Sequence, residues 1–124
     1  MEKRILIIED EPNIVEALRY ILSRDGYVVD THSDGSTAIE TIEKRNPDVV
    51  ILDAMLPNRS GFEILRDLRA AIPTAELPVL MLTARGQKKD RELAERYGAS
   101  QFMTKPYSNS EVLACVRELS ANDR

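Results

Sequence analysis

The chain has 124 residues, the size of one domain, and its single cysteine excludes an intrachain disulfide. The formal net charge of −4 argues against the basic surface that nucleic-acid binding requires. The opening residues MEKRILII have neither the apolar length of a membrane span nor the pattern of a signal peptide. We therefore expect one cytoplasmic domain over residues 1–124, with no direct nucleic-acid or membrane partner.

Five short segments are predicted to form parallel β-strands. Continuous aliphatic runs of this length are typical of strands that helices cover on both faces. Residues 28–31 are less hydrophobic than the other runs, which indicates an edge strand. The predicted strands are residues 5–8, 28–31, 49–52, 79–82 and 101–104. The last of these is more weakly apolar, but we expect it also to be buried on both faces.

Helical patterns fall between and after these strands. Apolar residues recur at helical spacing in each pattern, and Pro12 suits a first helical turn, where its missing N–H costs nothing. The predicted helices are residues 12–24, 36–44, 61–71, 88–97 and 109–119. This alternation predicts an α/β fold, a doubly wound (βα)5 sheet of five parallel strands with helices on both faces.

Polar residues follow four of the predicted strands at the point where each strand ends. Glu9 and Asp10 follow the first, Asp53 the third, Thr83 the fourth and Lys105 the fifth. In such a sheet, ligands bind at the carboxyl ends of the strands, so these side chains are expected in one cleft. Any one of them alone is more commonly a turn former or a helix cap. Their arrival together at the ends of separate strands favours a functional site.

Asp10 and Asp53 in one cleft repel each other unless a cation lies between them. Oxygen ligands without His or Cys favour a hard ion such as Mg²⁺, which commonly also binds a phosphate. Lys105 supplies a positive charge and Thr83 a hydrogen bond, so the set suits phosphoryl transfer. We predict that Asp53 is the nucleophile, because it follows a buried central strand, and that Asp10 and Glu9 hold the metal.

These residues resemble the response-regulator receiver domain, the CheY-like phosphoacceptor domain of two-component signalling. The motifs that carry the resemblance are Glu9-Asp10, Asp53 within ILDAMLPNRSGFE, Thr83 within LMLTARG and Lys105 within TKPY. Pro57 and Gly61 also stand where the family has a proline and a glycine after the phosphorylated Asp. The match covers nearly all of the chain and implies the flavodoxin-like strand order 2-1-3-4-5. LTARG with TKPYS partially resembles the OmpR/PhoB group.

The resemblance implies that Asp53 accepts a phosphoryl group from a phosphohistidine on a sensor kinase or a histidine phosphotransfer protein. It implies a Mg²⁺ site formed by Asp10, Asp53 and the main-chain oxygen of Met55, with Glu9 acting through water. Lys105 would bind a phosphoryl oxygen, and its bond to the following proline is expected to be cis. The domain would catalyse only its own phosphorylation and dephosphorylation.

The resemblance also implies a switch formed by Thr83 and Phe102. Thr83 would move toward the phosphoryl group, and Phe102 would turn inward behind it, which carries the signal to the fourth helix, fifth strand and fifth helix. A downstream protein or an output domain would receive that signal. Phe102 stands where the family often has Tyr, so its ring has no hydroxyl to offer; packing in the core is its simpler interpretation.

Four further residues depart from or vary within the family pattern. Met55 and Arg85 stand where the lifetime of the phosphoryl group is tuned, and we expect slow autodephosphorylation, with ordinary loop surface as the alternative. Ser100-Gln101 replaces the acidic residues of the OmpR/PhoB group, so salt bridges that rely on those acids cannot form. We expect a monomer or a weak dimer that depends on phosphorylation.

Three other functions share part of this pattern. A phosphatase of the haloacid dehalogenase type carries a second Asp two residues after its nucleophile, where this chain has Met55. A flavodoxin-like FMN carrier needs a hydroxyl-rich loop after the first strand, whereas the acids at 9–11 would repel its phosphate. A receiver that only binds partners would not need the complete set of acids, Thr and Lys.

Overall fold

The computed structural model describes residues 2–84 and 87–121. Strands and helices alternate along these residues, and two single 3₁₀ turns lie at Gly35–Thr37 and Ile72–Thr74. The elements are, in chain order, β1 (Arg4–Ile8), α1 (Pro12–Arg24), β2 (Val28–His32), α2 (Ala38–Arg45), β3 (Val49–Asp53), α3 (Gly61–Ala70), β4 (Val79–Thr83), α4 (Lys88–Tyr97), β5 (Gln101–Thr104) and α5 (Asn109–Ala121).

All five strands form one parallel sheet in the order β2-β1-β3-β4-β5, which confirms the predicted fold. β2 lies at an edge, as its lower hydrophobicity predicted. The prediction that residues 101–104 are buried on both faces is wrong: Gln101 is exposed and the other three residues are half-buried. β5 pairs with β4 alone at the end of the sheet, where helices cover it incompletely.

Alternate residues of the three central strands enter two separate hydrophobic layers. Ile51 faces the layer that α1 and α5 cover, whereas Val50 and Leu52 face the layer that α2, α3 and α4 cover. Side chains on a strand alternate between faces, so both layers need apolar residues. This double burial explains why the strands are unbroken aliphatic runs.

Four of the five strands are one residue longer than the sequence predicted, and two of the extra residues belong to the candidate site. Asp53 is the last residue of β3 and pairs with Leu82, while Thr83 is the last residue of β4 and pairs with Thr104. The ladder therefore holds their backbones rigidly. The observed α1 and α4 match their predicted ranges.

Local signals explain where several helices begin and end. Ser60 accepts a hydrogen bond from the Glu63 N–H and the Glu63 side chain accepts one from the Ser60 N–H, a capping box that starts α3. Asn46 ends α2 with a left-handed φ of 49°. Helix α2 begins two residues later than predicted because Asp34 first caps the 3₁₀ turn. Among the described residues, no helix combines the length and the hydropathy needed to cross a bilayer.

Two isoleucines of opposite burial should contribute very differently to the stability of the fold. Ile51 is fully buried in β3, whereas Ile72 is 93% exposed in the turn before β4. We expect Ile51→Ala to lower the free energy of unfolding by about 2–5 kcal/mol, because it removes buried methyl groups and leaves a cavity. The same substitution at Ile72 should change it by less than about 0.5 kcal/mol. Urea unfolding measures both, and equal effects would contradict the assigned burial.

Cys115 provides a second prediction, on thiol reactivity. Its side chain is 8% exposed on the inner face of α5, and burial, with a smaller contribution from Glu118, raises the pKa of the thiol to about 11. At pH 8, three units lower, only about one thiol in a thousand is ionised, and the thiolate is the reactive form. Iodoacetamide should therefore label the folded protein far more slowly than the urea-unfolded protein, as mass spectrometry can measure. Equal rates at pH 8 would contradict this environment.

Candidate functional site

Three carboxylates meet where β1 and β3 end. One oxygen from each of Glu9, Asp10 and Asp53 lies within 4.8 Å of the other two. The register that pairs Ile8 with Leu52 brings the next residues of both strands side by side. Glu9 and Asp53 are each only 2% exposed, and Asp10 is exposed. The predicted cleft therefore exists, and it is strongly acidic.

Lys105 brings an ammonium group into this acidic cluster. Its Nζ lies 3.0 Å from Glu9 Oε1, 3.6 Å from Asp53 Oδ1 and 3.8 Å from Glu11 Oε1. The Lys105 N–H donates to the Thr83 carbonyl at 2.7 Å, which continues the β4–β5 ladder and fixes where the side chain starts. The Lys105–Pro106 peptide bond is cis, as the resemblance implied. One positive charge thus faces three carboxylates.

Burial and pairing act in opposite directions on this ion pair. Burial is the largest influence on Glu9 and raises the pKa of its carboxyl, and the charge of Asp53 adds to it while the Lys105 hydrogen bond opposes it. For Lys105, burial lowers the pKa, but the Glu9 hydrogen bond and the surrounding carboxylates outweigh it, so the net pKa is raised. Pairing therefore keeps the ammonium charged and only partly offsets the burial of Glu9.

Backbone amides hold two of the carboxylates in place. Glu9 Oε2 accepts hydrogen bonds from the Asp10 N–H at 3.0 Å and the Glu11 N–H at 3.2 Å. Asp53 Oδ1 accepts one from the Met55 N–H at 3.2 Å. The cluster offers oxygen donors only, with excess negative charge and an exposed entrance at Asp10, and this donor set fits a hard divalent cation such as Mg²⁺.

Thr83 and Phe102 lie on the same face of the sheet. Thr83 is two residues after Met81 in β4, and Met81 pairs with Phe102 in β5. Both therefore face the layer covered by α4, and Thr83 is buried. Phe102 packs partly buried against that layer, and the Arg91 guanidinium of α4 lies over its ring, 5.1 Å from the centroid.

Two neighbours of the site were not assigned to it from the sequence. Glu11 occupies the N-cap position of α1 but makes no side-chain cap and instead faces Lys105. Tyr107 is half-buried beside Lys105, and burial raises the pKa of its phenol. The sequence signal that could have assigned Tyr107 to the site is its position two residues after Lys105. Arg85, expected to influence phosphoryl lifetime, lies outside the described residues.

Comparison with known proteins agrees with this geometry. The model of the response regulator receiver domain family matches residues 5–117. Over 119 residues, the chain is 43% identical to the alkaline phosphatase synthesis transcriptional regulatory protein PhoP of Bacillus subtilis (strain 168), covering 96% of this chain and 49% of that protein. The chain thus spans about half the length of this curated relative.

Two solved structures have nearly the same fold. The BeF3-activated N-terminal receiver domain of Klebsiella pneumoniae RstA superposes with a TM-score of 0.89 at 28% identity, covering 96% of this chain and 99% of that one. A chemotaxis response regulator of Vibrio cholerae gives 0.88 at 26% identity, with the same coverage of 96% and 99%. The family match, the relative and the shared fold together lead to one assignment: the chain belongs to the response regulator receiver domains of two-component signalling.

Proposed function

We propose that Asp53 accepts a phosphoryl group from a phosphohistidine of a sensor histidine kinase or a histidine phosphotransfer protein. The observation that carries the proposal is the approach of Lys105 Nζ to 3.6 Å from Asp53 Oδ1 inside a cluster of buried carboxylates. An Asp53 oxygen attacks phosphorus as the phosphohistidine N–P bond breaks, and the imidazole retains that bond's electron pair and takes up a proton.

The residues around Asp53 have distinct proposed roles. Asp10, Asp53 and the main-chain oxygen of Met55 would bind Mg²⁺ directly, and Glu9 would bind it through water. When bound, Mg²⁺ neutralises charge on the acids and on the phosphoryl oxygens. Lys105 is near enough to Asp53 to contact a phosphoryl oxygen placed on it. The Glu9–Lys105 hydrogen bond at 3.0 Å orients that ammonium.

Transmission of the signal is proposed to run through Thr83 and Phe102 to the surface of α4, β5 and α5. Both residues face α4, and Arg91 joins that helix to the Phe102 ring through a contact of about 0.5–1 kcal/mol. A shift of Thr83 toward a phosphorylated Asp53 would open space beside Phe102. The altered surface would then bind a downstream protein or an output domain.

The light packing of α4 supports this role. Among the described residues, its buried side chains are Ala94 and Asp90, and no hydrogen-bond partner contacts Asp90 Oδ2. An unsatisfied buried acceptor costs about 1–3 kcal/mol. Leu93 and Tyr97 are only half-buried. Helix α4 can therefore move with little loss of packing.

Phosphorylation of Asp53 is directly testable. With Mg²⁺ and acetyl phosphate, intact mass spectrometry should detect one labile phosphoryl group per chain, and EDTA should abolish the labelling. Asp53→Asn should remove it, because the amide is not a nucleophile. Asp48→Asn is the matched control, since Asp48 precedes β3 at the opposite end of the same strand and binds the Arg4 N–H. Labelling that persists in Asp53→Asn would contradict the proposal.

The lifetime of the phosphoryl group tests the role of Met55. Its side chain is 53% exposed beside Asp53 and is proposed to shield the aspartyl phosphate from water. Met55→Asn should shorten the lifetime by about two- to tenfold. An amide at this position can form one added hydrogen bond to the attacking water, which would speed hydrolysis by about that factor. Decay of the phosphorylated form by mass spectrometry measures it.

Met55→Leu is the control for that experiment, because it keeps an apolar side chain of similar size. Its lifetime should stay within about twofold of the wild type. An unchanged lifetime in Met55→Asn would overturn the shielding role without affecting the assignment of Asp53.

A further inference from the structure

The loop between β3 and α3, residues 54–60 and here called the acceptor loop, is closed tightly at its two ends. The Gly61 N–H donates to the Ala54 carbonyl at 2.9 Å. A Cβ atom at Gly61 would lie 2.3 Å from the Asp53 carbonyl oxygen, so only glycine permits this approach. The start of α3 is therefore pressed against the residue proposed to accept the phosphoryl group.

The middle of the acceptor loop is held by a different segment, the turn after β2. The Gly35 N–H donates to the Pro57 carbonyl at 3.2 Å, and Asn58 Nδ2 donates to Asp34 Oδ1 at 3.0 Å. A Cβ atom at Gly35 would lie 2.4 Å from the Arg59 carbonyl oxygen. Asn58 has a φ of 71°, so its backbone is in the left-handed region while its side chain reaches Asp34.

Asp34 is itself fixed before it meets the acceptor loop. Its Oδ1 accepts hydrogen bonds from the Ser36 N–H at 2.9 Å and the Ser36 hydroxyl at 2.8 Å, which caps the 3₁₀ turn. The Asn58 amide is the main cause that lowers the pKa of the Asp34 carboxyl, and Ser36 adds to it. An ionised acceptor makes stronger hydrogen bonds than a neutral one, so the contact to Asn58 is firm at neutral pH.

We propose that Asp34 is a positioning residue for the phosphoacceptor site, acting through Asn58 on the acceptor loop. The inference rests on the proposed role of Asp53. Met55 lies three residues before Asn58 in this short loop, and its N–H donates to Asp53 Oδ1 at 3.2 Å. With the loop held at both ends and at Asn58, the Met55 backbone keeps its position beside Asp53. Loss of the Asp34 contact frees that backbone.

The first measurement needs neither metal nor phosphoryl donor. Hydrogen exchange followed by NMR reports the opening of the loop at the Met55 and Gly35 amides. Asp34→Ala should speed exchange at both amides by about three- to tenfold. Losing one hydrogen bond of ordinary net strength raises the population of the open loop by about that factor. Asp34→Asn keeps an acceptor oxygen for Asn58 but not the charge, so its exchange should lie between that of Asp34→Ala and that of the wild type.

The second measurement follows the site itself. Mn²⁺ binding by electron paramagnetic resonance and labelling by acetyl phosphate should each weaken by about three- to tenfold in Asp34→Ala. Asn58→Gly removes the partner side chain while permitting its positive φ, and should have a similar effect. Since Asn58→Gly acts through its contact to Asp34, which Asp34→Ala already removes, the double variant should be no weaker than Asp34→Ala alone.

Asp25→Ala is the control for general destabilisation. Asp25 lies in the turn between α1 and β2, at the amino ends of the strands, whereas the acids lie at the carboxyl ends. Its carboxylate forms an ion pair with Arg117 at 2.6 Å. The Asp25→Ala variant should lower the free energy of unfolding in urea without changing Mn²⁺ binding. Unchanged exchange and Mn²⁺ binding in Asp34→Ala, or effects of Asp34 and Asn58 that multiply in the double variant, would overturn the inference. Absence of labelling in the wild type would instead overturn the proposed function, because exchange and Mn²⁺ binding are read independently of it.

Discussion

The repulsion among buried carboxylates at the carboxyl ends of β1 and β3 governs the rest of this structure. Glu9 and Asp53 are nearly inaccessible, and Asp10 stands beside them. At an effective dielectric of about 20, two unit charges about 4 Å apart repel by roughly 4 kcal/mol. Lys105 and the backbone N–H groups around Glu9 offset part of that cost. The remaining negative charge favours a cation in the cleft, so the electrostatic cost of the site and its proposed chemistry have one origin.

The sheet separates the chemistry from its transmission. The alternation of side chains places Thr83 and Phe102 toward α4, whereas Asp53 continues the row of Ile51, which faces the layer of α1 and α5. Asp53 nevertheless pairs with Leu82, the residue before Thr83, so the two polar residues end neighbouring strands. Rigid strands therefore bring the proposed nucleophile and the proposed switch residue together, and α4 has few buried side chains to hold it in place.

Much of the fold followed from the sequence because parallel strands buried on both faces are unbroken aliphatic runs. Those runs placed the three central strands to within a residue at each end, and with them the site residues at the strand ends. The prediction that residues 101–104 are buried on both faces was wrong because burial depends on the neighbours that the strand order supplies, and β5 lies at the end of the sheet. Asp90 illustrates the same limit: a charged residue in a polar helix gave no sign that it would be buried.

By itself, the sequence determined the fold class and marked the acids, threonine and lysine of the candidate site, because each is signalled by periodicity or by its place after a strand, and the family resemblance supplied the strand order. Only the tertiary structure decided which of these side chains touch. The Glu9–Lys105 ion pair joins residues 96 positions apart, and the Asp34–Asn58 hydrogen bond joins residues 24 apart. Such contacts depend on the register of several strands and on the exact paths of two loops. A local pattern of residues carries no information about distances of that kind.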